Sequence, residues 1–278
     1  MECWGNNYYG QLGYGTTASS TTAMYGPESV VGLPAGNITS ISCGKEHTCA
    51  LVDGHDQNQG RYANRTVWCW GRGDYGQLGD GTITNRNTAV KVKGLAGNIT
   101  SMEAGYLATC AVTEQGSVKC WGRGDYGQRG DGSTTTTTQT SALSPVSVQG
   151  LEDVVVTQIS MGYYNMAAAT TTGDMYTWGQ NWNCQLGDGT TTNRATAIKP
   201  SELGDGYFVT QVSVGWYNTC ARTLDGGELG ISTTITTATA IAAANANDQS
   251  TQQHITTNAT DDTIRYQPPL LHQPPRTT

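Results

Sequence analysis

The chain has 278 residues, a formal net charge of −7, 36 glycines and only 13% charged side chains, with one Phe against 14 Tyr and 7 Trp. That length holds one large domain or two small ones, and the composition suits short strands joined by tight turns better than helices. The acidic balance, with no basic run or arm, speaks against nucleic acid as a partner, and no apolar run approaches the roughly 18 residues that cross a bilayer.

In chain order, Met1-Glu2-Cys3-Trp4-Gly5 has neither the basic region nor the apolar core of a signal peptide. It opens in the middle of a motif, which predicts a fragment. Trp-Gly recurs at Trp4, Trp70, Trp121 and Trp178, and a period of about 50 residues marks an array of small units that bury their apolar faces against each other. One unit shows the order. Cys69-Trp70-Gly71 is followed by Gly76-Gln77-Leu78-Gly79-Asp80-Gly81-Thr82, an alternating Ala89-Val90-Lys91-Val92, and Gly94-Leu95. Then come Asn98 to Met102, Gly105, Thr109-Cys110-Ala111-Val112, a Gln115-Gly116 turn and Val118-Lys119-Cys120-Trp121-Gly122. Four short β segments per unit, with Gly-centred turns, describe the blades of a propeller.

This ordered pattern resembles the repeat of the regulator of chromosome condensation (RCC1) family over about residues 3–230, most clearly at Gly10-Gln11-Leu12-Gly13, Gly76 to Gly79 and Gln185-Leu186-Gly187-Asp188-Gly189. The resemblance implies an all-β propeller of RCC1-type repeats. The family's rings have seven blades and this chain has about four, so a partial propeller is expected over 1–230. After Thr223-Leu224-Asp225-Gly226, the sequence Gly227-Glu228-Leu229-Gly230 stands where another Trp-Gly strand would follow. Residues 231–278 are low-complexity, rich in Thr, Ala, Gln and Pro, and are expected to be a disordered tail.

Cys110 and Cys120 lie symmetrically about Gln115, and Cys49 and Cys69 occupy the same two places one unit earlier. Opposed side chains on a hairpin are close enough to bridge. In the next unit both places change together, to Ala167 and Thr177. Free buried thiols would also vary in this way by chance, but paired loss favours two disulfides, each contributing about 2–3 kcal/mol through loop closure. Disulfides imply an oxidising compartment, so an extracellular or secretory address is expected although the chain carries no signal peptide. Cys220 stands at the first place of its hairpin and Cys3 at the second, each without a partner in its own unit; the two would meet if strands from the two termini closed a ring, and loss of each one's partner by truncation is the favoured reading. Cys43 and Cys184 have no obvious partner.

Little else carries chemistry, and no enzyme is expected. His254 and His272 lie in the tail, His55 in the long first-unit loop, and His47 reads as a turn residue making local hydrogen bonds. Without clustered ligands no metal is expected, and the Gly-x-Gly segments lack the helix a cofactor's phosphates would need, so no cofactor is expected either. The Asp-Gly pairs at Asp80, Asp131 and Asp188 read as turns. Gly215-Trp216-Tyr217-Asn218-Thr219 resembles the Gly-Trp-Arg-His-Thr motif of plant ultraviolet receptors, but Tyr217 and Asn218 replace the charged pair and light sensing is not expected. Of the sequons at Asn37, Asn64, Asn98 and Asn258, Asn64 is the best glycosylation candidate, because its inserted loop should be exposed.

What remains is binding by loops after each Trp-Gly. Tyr8, Tyr9, Arg72, Asp74, Tyr75, Arg123, Asp125, Tyr126 and Trp182 recur at matching places, and Tyr, Trp and Arg are common interface anchors. The alternative is that these tyrosines pack between blades and fix the turn. The expected function is a non-catalytic scaffold that binds a protein or glycan. The other reading is a cytoplasmic regulator, an exchange factor or scaffold for a small GTPase, which the resemblance also implies.

Overall fold

The computed structural model describes residues 1–17, 24–56, 61–134, 142–203 and 207–224. The chain divides into two units, 1–244 and 245–278, and every described residue belongs to the first. The expected domain boundary at 230, the tail, the segment after Leu224, and His254, Asn258 and His272 all lie outside the described residues.

The first unit is built of antiparallel strands. β1 (Glu2–Gly5) pairs with β2 (Met24–Ser29) as a two-stranded sheet. Three four-stranded sheets follow in simple meander order. The first holds β3 (Ile38–Cys43), β4 (His47–Asp56), β5 (Arg61–Gly71) and β6 (Arg86–Lys91). The second holds β7 (Ile99–Ala104), β8 (Ala108–Thr113), β9 (Val118–Gly122) and β10 (Ala142–Ser147). The third holds β11 (Val156–Met161), β12 (Asn165–Thr170), β13 (Met175–Gly179) and β14 (Arg194–Ile198). A last pair, β15 (Phe208–Val214) and β16 (Thr219–Leu224), forms another two-stranded sheet. The expected four blades are therefore three complete ones and two halves. The first half-blade holds the Trp-Gly strand and the outer strand, and the last holds the two inner strands.

Each strand follows from its sequence. β8 and β12 are buried along their whole length, and their small residues, such as Ala167, Ala168 and Ala169, let neighbouring sheets approach closely. Pro145 sits in β10, a sheet edge, where a missing N–H breaks no ladder. The β8–β9 and β12–β13 turns close at Gly116 and Gly173, both at φ 79°, a left-handed backbone that Gly adopts freely.

The repeated Gly-Gln-Leu-Gly segment has a structural reason. The Gln77 side chain accepts the Tyr75 amide at 2.9 Å, while its backbone oxygen accepts the Trp121 indole N–H of the next blade at 2.9 Å. Trp70 meets Gln11 and Trp178 meets Gln128 in the same way, at 2.9 and 3.0 Å. All three indoles are fully buried. The second Gly lies against the indole: a Cβ on Gly13 or Gly79 would come within 2.7 Å of Nε1 of Trp70 or Trp121.

The hairpin cysteines are opposed in register and joined, Cys49 with Cys69 and Cys110 with Cys120. Ala167 faces Thr177 at the equivalent place. The first bridge packs in a cluster with Leu78 and Trp121, and the second in a cluster with Met166 and Trp178, so each disulfide supports the indole of the following blade.

Two expectations need correcting. His47 is fully buried at the start of β4, and its Nε2 meets Thr109 Oγ1 of the next blade at 2.9 Å. It joins blades rather than bonding within its own turn. His55 and Asn64 lie on β4 and β5 rather than in a loop, because the hairpin ladder continues past a register shift to Asp56 and Arg61.

Candidate protein-docking surface

In the turn after each Trp-Gly strand the Gln side chain accepts the backbone amide two residues before it, that of Tyr9, Tyr75, Tyr126 or Asn183, all at 2.9 Å. Arg72 and Asp74 form a two-pronged pair at 2.8 and 2.7 Å, and Arg72 Nη1 reaches Glu46 at 2.5 Å. One blade on, Arg123 pairs with Asp125 at 2.8 and 2.6 Å and donates to the Tyr164 hydroxyl at 2.8 Å. Burial alone would lower the pKa of both guanidiniums, but these partners outweigh it and raise it.

These turns join across blades into one run of rings and guanidiniums. The Arg72 guanidinium carbon lies 4.9 Å from the Tyr9 ring centre and 5.4 Å from that of Tyr75. Arg123 lies 5.2 Å from Tyr75 and 5.8 Å from Tyr126, so Tyr75 stands between two cations from successive blades. Trp182, 59% exposed, meets Tyr126 edge-on at 5.2 Å, and Tyr8 meets Tyr9 edge-on at 4.8 Å. All nine loop residues read from the sequence are thus in one band. The turn Tyr residues do span blades, as the packing alternative required, yet Tyr9, Tyr75 and Tyr126 remain partly exposed.

The sequence reading missed the inner half of this surface. The turns after β3, β7, β11 and β15 each carry a Gly followed by Lys45, Tyr106, Tyr163-Tyr164 or Trp216. Tyr106 and Tyr163 rings lie 4.0 Å apart, Tyr163 and Trp216 5.0 Å, and Tyr126 and Tyr164 4.4 Å. Lys45 Nζ donates to the Tyr106 hydroxyl at 2.6 Å, which lowers that phenol's pKa and raises the lysine's. Burial raises the pKa of Tyr164, with Arg123 opposing. Together these turns edge a cleft of about 450 Å³ lined by Cys43, Lys45, Tyr106, Met161, Tyr163 and Trp216. The available signal was the recurring Gly of each inner turn, with a large side chain directly after it.

The Asp-Gly turns hold their own carboxylates. Asp80 accepts from Thr82 N and Oγ1 at 2.9 and 2.7 Å and from Arg86 at 2.8 Å. Asp188 does the same with Thr190 and Arg194. Among the described residues no group of three or more His, Cys, Asp and Glu could hold a metal ion. Asn64 has its side chain outside the described residues.

Comparison with known proteins places this architecture. The family model for the regulator of chromosome condensation (RCC1) repeat matches residues 3–51, 66–112, 115–169 and 172–222. The human E3 ubiquitin-protein ligase HERC2 is 35% identical over 69% of this chain, which covers 4% of that protein. The Ultraviolet-B receptor UVR8 of Arabidopsis thaliana is 31% identical over 80% of this chain and 47% of the receptor. The chain therefore spans less than half the length of these curated relatives. Human WBSCR16 shares the fold with a TM-score of 0.66 at 22% identity, over 81% of this chain and 54% of that one. Yeast RCC1 (Prp20), in its complex with Kap60, gives 0.63 at 18% over 81% and 50%. With four successive matches over most of its described length, the chain belongs to the RCC1 repeat family, and its sheets are blades of an RCC1-type β-propeller.

Proposed function

We propose that this chain is a docking module that takes a protein partner on its aromatic and guanidinium band, without chemistry of its own. The observation that carries this reading is the run Tyr9–Arg72–Tyr75–Arg123–Tyr126–Tyr164–Tyr106. It continues to Tyr163 and the exposed Trp216. Large, rigid aromatics and Arg supply contact area at low entropy cost and dominate binding hot spots. Each Arg is already oriented by an Asp, so little order is lost when a partner arrives. Propeller relatives have protein partners, Kap60 for yeast RCC1 and Gsp1p and histones for Prp20p, which is in keeping with a protein rather than a glycan. The two disulfides favour folding in an oxidising compartment.

The test compares the wild-type chain with a Trp182→Ser, Tyr163→Ser, Trp216→Ser variant, both immobilised, against extracts, a small GTPase and a glycan array. Retention of a defined protein by the wild type, lost in a variant of equal thermal stability, supports the proposal. Equal retention by both overturns it. Binding confined to the array moves the ligand to carbohydrate.

A further inference from the structure

The inner turns of the three complete blades bring one lysine and two tyrosines together. Lys45 stands in the turn between β3 and β4, Tyr106 in that between β7 and β8, and Tyr163 in that between β11 and β12. Each directly follows a Gly, and all three line the same cleft. Lys45 is exposed, and its Nζ donates to the Tyr106 hydroxyl at 2.6 Å.

A phenol oxygen accepts up to two hydrogen bonds and donates one. Tyr106 accepts from Lys45 and from the Tyr163 hydroxyl, which together lower its pKa, while the same bond to Tyr106 raises that of Tyr163. With both lone pairs engaged, the Tyr106 O–H is left to donate outward. The Lys45 ammonium has three hydrogens and gives one of them to this phenol. Two N–H groups and one O–H therefore stand side by side at the edge of the cleft, and all of them are donors.

Charge points the same way. Glu46 follows Lys45 directly but is held by Arg72 at 2.5 Å, and Asp125 is held by Arg123 at 2.6 Å. Glu103 accepts from Ser42 at 3.3 Å, and burial raises its pKa. Among the described residues Lys45 enters no ion pair. A cationic side chain from a partner would meet a like charge here. The place over the Tyr106 ring is also taken, by Lys45 itself at 4.3 Å from the ring centre. The formal net charge of −7 belongs to the whole chain, and physiological salt screens it beyond about 8 Å, so the groups at the cleft decide what it takes.

The geometry points to a carboxylate subsite: an Asp or Glu side chain of the partner protein accepts from Lys45 Nζ and the Tyr106 hydroxyl, with Met161 and Tyr163 beside its apolar stem. This assignment rests on the docking reading above and gives the partner a chemistry, that of an acidic segment. Hydrogen bonds from an ammonium to a carboxylate are about twice as strong as neutral ones. A charge pair at the edge of an interface steers encounter and fixes register as well as adding affinity. Lys45, Tyr106 and Tyr163 all belong to complete blades, so neither half-blade takes part.

The experiment selects a random peptide library, displayed on phage, on the immobilised 278-residue chain. Enriched peptides should carry Asp or Glu well above the input frequency. Synthetic copies of them should bind Lys45→Met at least about tenfold more weakly than the wild type, and Tyr106→Phe about threefold more weakly. Both variants should melt with the wild type, because Lys45 is exposed and the Tyr106 ring is kept. Raising salt from about 50 to about 500 mM should weaken binding to the wild type severalfold and leave binding to Lys45→Met nearly unchanged. The same selection on Lys45→Glu should shift the enrichment to Lys and Arg. Enriched peptides without acidic residues, or acidic peptides that bind Lys45→Met as well as the wild type, overturn the subsite and leave docking in place. A selection that enriches no sequence removes the docking reading and the subsite together.

Discussion

Trp121 donates its indole N–H to the backbone oxygen of Gln77 at 2.9 Å, across the boundary between two blades. The same bond in the neighbouring blades makes it the joint of the array, since each blade presents a Gln carbonyl and a Gly floor that only the next blade's Trp fills. Replacing Trp121 with Phe shortens the ring and removes the donor. The expected loss is about 2–3 kcal/mol, from a partial cavity and a missing hydrogen bond. Urea unfolding should show it as a lower midpoint with an unchanged slope. Trp4→Phe, at an exposed position, should change the single chain's stability by less than about 0.5 kcal/mol.

His47 should make stability fall in mild acid. Its Nε2 meets Thr109 Oγ1, and that hydroxyl's own hydrogen goes to Gln77, so Nε2–H is the donor and Nδ1 is the bare nitrogen. Nδ1 is buried with no partner, and burial depresses the residue's pKa from 6.5 to about 4. The folded state thus resists a proton that the unfolded chain accepts. Stability from this residue is complete above pH 6.5, declines as pH falls from 6.5 towards 4, and is reduced by about 3 kcal/mol below that. Urea midpoints measured from pH 7.5 to 4 should show the decline, and His47→Gln should flatten it.

Much of this was legible before any coordinates, and the reason is locality. Trp-Gly, Gly-Gln-Leu-Gly and the paired cysteines act within one hairpin or one turn, so their spacing along the chain carries their geometry. The contacts that escaped are those between blades. His47 and Thr109 are separated by a whole repeat, and so are Lys45 and Tyr106, so nothing local in either segment announces the pair. Tyr106, Tyr163 and Tyr164 form a site only because the inner turns of successive blades converge. Asn64 was misplaced for the opposite reason: an insertion reads as a loop, but the backbone ladder of the hairpin runs on through it to Asp56 and Arg61.

The two disulfides should add measurable and similar stability. They close sequence separations of 10 and 20 residues, for which the chain-entropy estimate is about 3 kcal/mol each, slightly more for Cys49–Cys69. The paired substitutions Cys110→Ala, Cys120→Ala and Cys49→Ala, Cys69→Ala should therefore lower unfolding free energy by comparable amounts. Equal stability of the wild-type chain with and without reductant would remove both the bridges and the compartment inferred from them.

Tyr75 separates binding from folding. Its ring lies against Arg72 and Arg123, contacts worth about 0.5–1 kcal/mol each at partly exposed sites. Tyr75→Ala should cost about 1–2 kcal/mol of stability, whereas partner capture by the band should drop by at least about tenfold. Tyr75→Phe keeps the ring and should preserve both. Titration of an immobilised partner, beside thermal melts, reads the two effects independently.

Gly79 and Gly187 offer a matched pair. Both lie at φ 66°, so an Ala introduces the same backbone strain at either. Only the surroundings differ: the new methyl meets the Trp121 indole at 2.7 Å at position 79 and Pro200 at 3.4 Å at position 187. Since an indole held on both faces by a packed core cannot move away without opening a gap, overpacking of about 1–3 kcal/mol is expected to separate Gly79→Ala from Gly187→Ala. Chemical denaturation of the two variants at low protein concentration reads that difference.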